Sequence, residues 1–251
     1  MSRPGPAGHA SAGPAVRRAG ADPYRGRVHV PELAWPTTAA QARAEQDRLR
    51  PLVRTTGSLP APLRTVAGLD VAYGGDDRLA AAVVVLDADT LAPVDQATAV
   101  GVAAFDYVPG LFAFRELPAL LAALAALSTV PDVLVCDGHG LAHPRRFGLA
   151  CHLGVLLDRP TIGIAKTPLS GRYEPPDPRR GAGSALLADG EVVGRALRTR
   201  DGVKPVYVSV GHRLDLDAAC ALALRLTPRY RLPETTRRAD RLCRDALAAA
   251  G

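Results

Sequence analysis

The chain has 251 residues, 47% of them hydrophobic, enough for one sizeable core and a strained fit for two equal domains. Its net charge of +6 suggests a polyanionic partner, but through residue 30 Arg3, Arg17, Arg18, Arg25 and Arg27 face only Asp22, which leaves the rest mildly basic. No run approaches a membrane span, no continuous apolar core of a secretory signal is present, and Cys136, Cys151, Cys220 and Cys243 lack the paired spacing of a zinc site.

In chain order, "MSRPGPAGHASAGPAVRRAGADPYRGRV" has no apolar period and little to bury against its chain entropy, which predicts a disordered basic tail over 1–30 and one domain over 31–251. "TTAAQARAEQDRLRPLV" reads as a helix capped by Thr37 or Thr38 and ending at Pro51. "TVAGLDVAY", "LAAAVVVLDA" and "PVDQATAVGVA" read as three strands of an antiparallel meander, the first two joined by "GGDD". "LPALLAALAALS" carries leucines at three- and four-residue spacing, a helix with one apolar stripe. Pro118 is tolerated in a first turn, so this helix is expected to begin near Glu116. "DVLVCD", "PTIGIAK" and "KPVYVSV" are short strands; "RFGLACHLGVLLD", "LDLDAACALALRL" and "TTRRADRLCRDALAAA" are helices; "SALLADGEVVGRALRTR" is a hairpin around "ADG". The pattern predicts an α/β domain with a mixed sheet: a three-strand antiparallel meander, then parallel strands with flanking helices.

Three carboxylates stand where the scaffold would hold them. Strand alternation puts Asp70 on one face with the small Gly68 and Ala72, and a mid-strand carboxylate needs a partner or a metal. Asp137 ends an apolar strand and meets the bend "GHG", where ligands of α/β sheets commonly bind. Glu116 stands at a helix mouth. Each alone has an ordinary reading: Asp70 paired with Arg or solvated, Asp137 capping its own turn, Glu116 favoured by the helix dipole. Together they would form an all-oxygen cage suited to Mg²⁺ or Mn²⁺. The cysteines read as reduced packing residues of a cytoplasmic protein.

The motifs "AGLDVAY", "DYVPGLFAFRE", "DGHGLAHPRRFGLACHLGVLLDRPTIGIAKTPL" and "RTRDGVKPVYVSVGH", in this order and spacing, resemble the endonuclease V family over roughly residues 36 to 245. The resemblance implies an RNase H-like fold and a metal-dependent repair endonuclease acting at deoxyinosine, the product of adenine deamination. It implies cleavage of the second phosphodiester bond 3′ to the lesion, leaving 3′-hydroxyl and 5′-phosphate ends. By the same resemblance Asp70 and Asp137 hold Mg²⁺, with Mn²⁺ able to substitute. Glu116 and His212 then act through water or a second metal, and Lys166 faces the phosphate. Tyr107, Val108 and Pro109 match the family's wedge, and Gly110, Phe112, Gly138, Gly140, Leu149 and Leu169 the pocket for the flipped base, while Gly148 is open to a reading as close helix packing only. Two positions depart from the family pattern: Asp106 where the wedge motif usually begins with Pro, and His139 where Gln or Asn is more frequent. The implied partner is deoxyinosine DNA bound by a monomer away from membranes. Inosine RNA or structured DNA is the alternative substrate, and a non-catalytic reader of inosine the further alternative.

Overall fold

The structure is a computed structural model and describes residues 26–250. Helix α1 (Ala39–Leu49) starts where Thr38 accepts the Gln41 N–H and the Gln41 side chain accepts the Thr38 N–H, so two otherwise orphaned donors are satisfied reciprocally. The meander follows as β1 (Thr65–Tyr73), β2 (Arg78–Asp87) and β3 (Pro93–Val102). Asp76 and Asp77 both take positive φ in the first connection, which Asp tolerates better than most residues. Next come α2 (Ala113–Ala126), β4 (Val133–Cys136), α3 (Leu149–Leu157) and β5 (Thr161–Ala165). The hairpin β6 (Gly183–Ala188) and β7 (Glu191–Leu197) turns at Asp189 and Gly190, both at positive φ, as expected around "ADG". Strand β8 (Val206–His212) and helices α4 (Leu216–Arg225) and α5 (Glu234–Ala249) complete the described residues.

One sheet of eight strands runs in the order β3-β2-β1-β4-β5-β8-β7-β6. Strands β1, β4 and β5 are parallel neighbours, and every other pairing is antiparallel. The expected mixed sheet is therefore present, with a second antiparallel group, β8-β7-β6, closing its far side. Leu69, Val83 and Leu134 face α2 and α3 with Leu117, Leu120, Leu124 and Leu153, whereas Val66, Val84, Val135 and Ile162 face α4 and α5 with Leu222 and Ala239. Each fully buried leucine of the α2 stripe contributes roughly 1.5–3 kcal/mol by leaving water, and the stripe docks that helix over the meander.

Two expectations change. Helix α2 begins three residues before Glu116, so Pro118 lies inside it; the first turn is tightened by bonds from Phe114 to Leu111 and from Arg115 to Phe112. The expected tail is too long at its end: Val28 is buried in the core against the α2 side of the sheet, and the Gly26 N–H donates to the Ser128 carbonyl. The rest of that tail, 1–25, lies outside the described residues.

Gly68 has a reason that strand alternation did not supply. A Cβ there would lie 2.3 Å from the Thr235 carbonyl oxygen, so the absent side chain is what lets α5 lie directly on β1. This close crossing brings α5 alongside Asp70.

Candidate active site

The carboxylates converge because of strand register. The last registered pair of β1 and β4 is Leu69 with Cys136, so Asp70 and Asp137 are the next neighbours on adjacent parallel strands and point to the same face. The Asp137 N–H donates to the Leu69 carbonyl at 3.2 Å, and Asp70 Oδ1 accepts the Val71 N–H at 2.9 Å. From the other face, the first turn of α2 delivers Glu116, a buried carboxyl that accepts the Tyr73 hydroxyl at 3.4 Å.

Two of the three carboxyls, Asp70 and Glu116, resist ionisation. Burial and then the Asp137 charge push Asp70 up to about 7. Burial and then Asp70 hold Glu116 well above the usual carboxylate range. Cations oppose this: Arg115 bears on Glu116, and Lys166, just past the end of β5, places Nζ 2.5 Å from Asp137 Oδ2. Burial alone would lower Lys166, but its bond to Asp137 and the charges of Asp137, Asp70 and Asp240 hold it above the ordinary lysine value. In this arrangement no group of three or more His, Cys, Asp or Glu side chains among the described residues is gathered tightly enough to hold a metal ion. The expected closed cage is thus an open set of carboxylates, with Lys166 bound to one of them.

Asp240 is a fourth carboxylate that the sequence did not bring into view. It projects from α5, bears on both Asp70 and Lys166, and is bonded to Arg244 one turn on. In the sequence that Asp and Arg read as an ordinary helix-surface pair at a spacing of four. Only the Gly68 crossing places the helix over β1.

His212 is not part of this group, which corrects the expectation. Strand β8 runs antiparallel to β5 and pairs His212 with Thr161, at the start of β5, whereas Lys166 follows its end. Five residues of strand separate the two, roughly 15 Å. There the buried His212 accepts the Arg54 N–H on Nδ1 at 3.2 Å and bonds Asp158 through Nε2 at 3.2 Å, tying the loops at the opposite end of the strands.

A cavity of 470 Å³ opens beside the carboxylates. Of the residues expected in the base pocket, Gly110, Phe112, Gly138, Leu149 and Leu169 line it, joined by Tyr107 and Pro109 from the segment matched to the wedge, and Asp137 and Lys166 form its edge toward the carboxylates. Gly148 also lines it, and a Cβ there would lie 2.4 Å from the His139 carbonyl, so close packing at that position is required too. Gly140 does not line it: a Cβ there would lie 2.0 Å from the Val210 carbonyl, and its N–H donates to Ser209 Oγ at 2.8 Å, so it seats the bend on β8. Within the wedge segment Tyr107 is 68% exposed, whereas Val108 packs with Phe105, Leu111 and Phe114. Asp106 is exposed beside them.

Gln46, His143 and Thr167 line it as well; His143 and Thr167 belong to the long motif quoted above, whereas Gln46 comes from a helix that carries no site signal of its own. Gln46, 1% exposed, reaches from α1 to donate through Nε2 to the carbonyls of Gly110 at 2.9 Å and Phe147 at 3.3 Å, fixing the loop before α2 to the segment before α3. The role of His139 is also defined. Its Nε2 lies 3.1 Å from the Thr167 carbonyl, which can only accept, so that nitrogen carries a proton, while burial lowers the ring below the ordinary histidine value. His139 thereby ties the glycine bend after β4 to the segment after β5. Burial likewise pulls His143 down to about 4.

A sequence model of the family described as Endonuclease V matches residues 47–241. The chain is 61% identical over 222 residues to an endonuclease V of Streptomyces coelicolor, covering 88% of this chain and 95% of that one. The crystal structure of the Streptomyces avermitilis endonuclease V superposes with a TM-score of 0.84 at 58% identity, covering 90% of this chain and 99% of that one. The Ciona intestinalis endonuclease V, solved in complex with a 24mer DNA containing an inosine followed by a ribo-adenosine, superposes with a TM-score of 0.74 at 28% identity, covering 84% and 98%. The chain belongs to the endonuclease V family of nucleases.

Proposed function

We propose that this endonuclease V family member is a DNA repair enzyme that recognises deoxyinosine, takes the base into the 470 Å³ cavity, and hydrolyses the second phosphodiester bond on its 3′ side. The observation that carries this reading is the junction itself: a cavity lined by backbone and apolar groups whose wall includes Asp137 and Lys166. A flipped base seated there leaves its own backbone beside the carboxylates. Tyr107, exposed at the cavity mouth, fills the space the base vacates in the duplex.

The donor set suits a hard divalent cation. Burial and the neighbouring carboxylates raise the proton affinity of Asp70 and Glu116, and a doubly charged ion among oxygen-only donors reverses that repulsion. Asp70 and Asp137 would hold Mg²⁺, or Mn²⁺ in its place, with Glu116 and Asp240 acting through water. When bound, the ion supplies Lewis-acid stabilisation of the phosphate oxygens and a more acidic water. Lys166 neutralises charge that builds on the phosphate, and Glu116, whose proton affinity is raised, accepts a proton from the attacking water. The products carry 3′-hydroxyl and 5′-phosphate ends. Four buried, unbridged cysteines suit a reducing cytoplasm, and among the described residues no helix is long and apolar enough to cross a membrane.

A second reading has a specific observation in its favour: the Ciona protein was captured on a strand whose inosine is followed by a ribonucleotide. Inosine RNA is therefore the alternative substrate. The deciding experiment is a nicking assay with Mg²⁺ on matched substrates containing deoxyinosine, deoxyinosine followed by one ribonucleotide, inosine RNA, uracil or an abasic site, with the cut mapped. Efficient cutting one nucleotide beyond deoxyinosine, absent for uracil and the abasic site, is the expected result. Cutting confined to RNA would transfer the assignment to a ribonuclease.

A further inference from the structure

A row of aromatic rings runs from the wall of the cavity to the Glu116 carboxyl. Tyr73 and Phe112 have centroids 5.9 Å apart at a tilt of 42°, and Phe112 and Tyr107 are 6.1 Å apart at 74°. None of these rings stacks flat on its neighbour, so their faces are not used up on each other. All three are open to solvent: Tyr73 is 38% exposed, Phe112 39% and Tyr107 68%. The contrast is the pair Phe105 and Phe114, at a similar 5.7 Å, which is buried in the core.

The row has direction. Phe112 and Tyr107 line the cavity. At the other end the Tyr73 hydroxyl reaches Glu116 Oε1 at 3.4 Å. Tyr73 is also held in place: the buried Arg115 guanidinium sits 5.3 Å from its ring centroid and is itself bonded to Asp77 Oδ1 at 2.8 Å and the Phe105 carbonyl at 2.7 Å. An aromatic ring that is both fixed and half-open, in a protein with only four Phe and six Tyr, is a ready stacking surface.

We propose that Tyr73 and Phe112 form a stacking seat for the base of the nucleotide that follows the flipped lesion on its 3′ side. The inference rests on the function proposed above and adds a ligand to it. If the flipped base enters the cavity and the scissile phosphate lies at the carboxylates, the intervening nucleotide must cross this row. Stacking there holds the strand at the length of one nucleotide step, so the second phosphate rather than the first reaches Asp70 and Asp137. The seat takes any base, because every base presents a π face.

The test separates stacking from the bond that Tyr73 makes to Glu116. Tyr73→Phe keeps the ring and removes the hydroxyl; Tyr73→Leu keeps apolar bulk and removes the π face. With 2-aminopurine placed 3′ to deoxyinosine and no divalent cation present, binding by the wild type and by Tyr73→Phe should change the probe's fluorescence alike, and binding by Tyr73→Leu should change it much less. In Mg²⁺, kcat/KM of Tyr73→Leu should fall about tenfold relative to Tyr73→Phe on a duplex with a normal 3′ neighbour. That gap should vanish when the neighbour is abasic. Phe112→Leu should likewise diminish the fluorescence change, while its loss in kcat/KM should shrink but not vanish with an abasic neighbour, because Phe112 also lines the cavity. An equal loss in both Tyr73 variants, indifferent to the neighbouring base, would overturn the seat and leave Tyr73 only positioning Glu116. A wild type that gives the fluorescence change yet cuts nothing would support the seat while removing the proposed cleavage.

Discussion

At Asp70 the site's chemistry opposes the fold's stability. Its carboxyl titrates near 7, against an ordinary 3.8, because burial and Asp137 disfavour the charge. Between those values the folded chain binds a proton that the unfolded chain does not, so stability falls as pH rises from about 4 to 7, and the whole penalty is present above 7. Asp70→Asn should therefore raise the urea midpoint at pH 8 in chelator, on the order of 2 kcal/mol after allowing for solvent on the open side, with the difference closing near pH 4. The same variant should lose nicking by at least a hundredfold. Mg²⁺ should stabilise the wild type at pH 8 and the Asp70→Asn variant far less; equal stabilisation of both would remove Asp70 from the ion's ligands. Asp70 and Asp137 were legible because a carboxylate inside or ending an apolar strand is costly without a purpose. His212 was misplaced because its role came from the family resemblance alone, and its motif does not reveal that β8 runs antiparallel to β5 and carries His212 away from the carboxylates. His212→Gln should thus lower stability by about 1–3 kcal/mol, through loss of its bonds to the Arg54 N–H and Asp158, and leave the pH profile of kcat unchanged.

At the scale of elements, the crossing of α5 over β1 determines whether Asp240 reaches the site. A methyl at residue 68 would meet the Thr235 backbone, which cannot move without lifting the helix. Gly68→Ala should cost about 2–4 kcal/mol in chemical denaturation and reduce nicking more than an equally destabilising change far from the site. Thr38→Ala, which removes the reciprocal cap of α1, is the control: it should cost about 1 kcal/mol with kcat unaltered. Strands and helices themselves were largely readable from period and turn residues. The start of α2 was not, since Pro118 sits in a second turn that its neighbours hold helical. Asp240 was hidden for a related reason, as local spacing shows its partner Arg244 but not the strand beneath the helix.

For the molecule as a whole, the placement of charge decides how it meets a nucleic acid. The basic runs "HPRRFG" and "RRADRLCRD" are in large part paired: Arg145 with Asp47, Arg146 with Asp189 and Glu191, Arg237 and Arg238 with Glu234, and Arg244 with Asp240. Such paired surface cations gain little by exchanging one anion for another, so the folded body offers fewer phosphate contacts than its composition suggests. The unequal share of charge at 1–25, four Arg against one Asp, then becomes the main candidate for sequence-independent affinity. Packing also determines where a deletion must stop, since removing residues as far as 30 would take out Val28 and damage the core. Deleting 1–25 should leave the urea midpoint within about 0.5 kcal/mol of the full chain. It should flatten the dependence of log affinity on log salt by up to about 3.6, near 0.9 for each arginine that touches a phosphate. Discrimination between deoxyinosine and undamaged duplex should survive or improve, because the cavity and the aromatic row belong to the folded body and only the shared, nonspecific term is removed. An unchanged salt slope in equilibrium binding would place the electrostatic contact on the folded body after all, with Arg54, Arg78 and Arg241 the residues to substitute next.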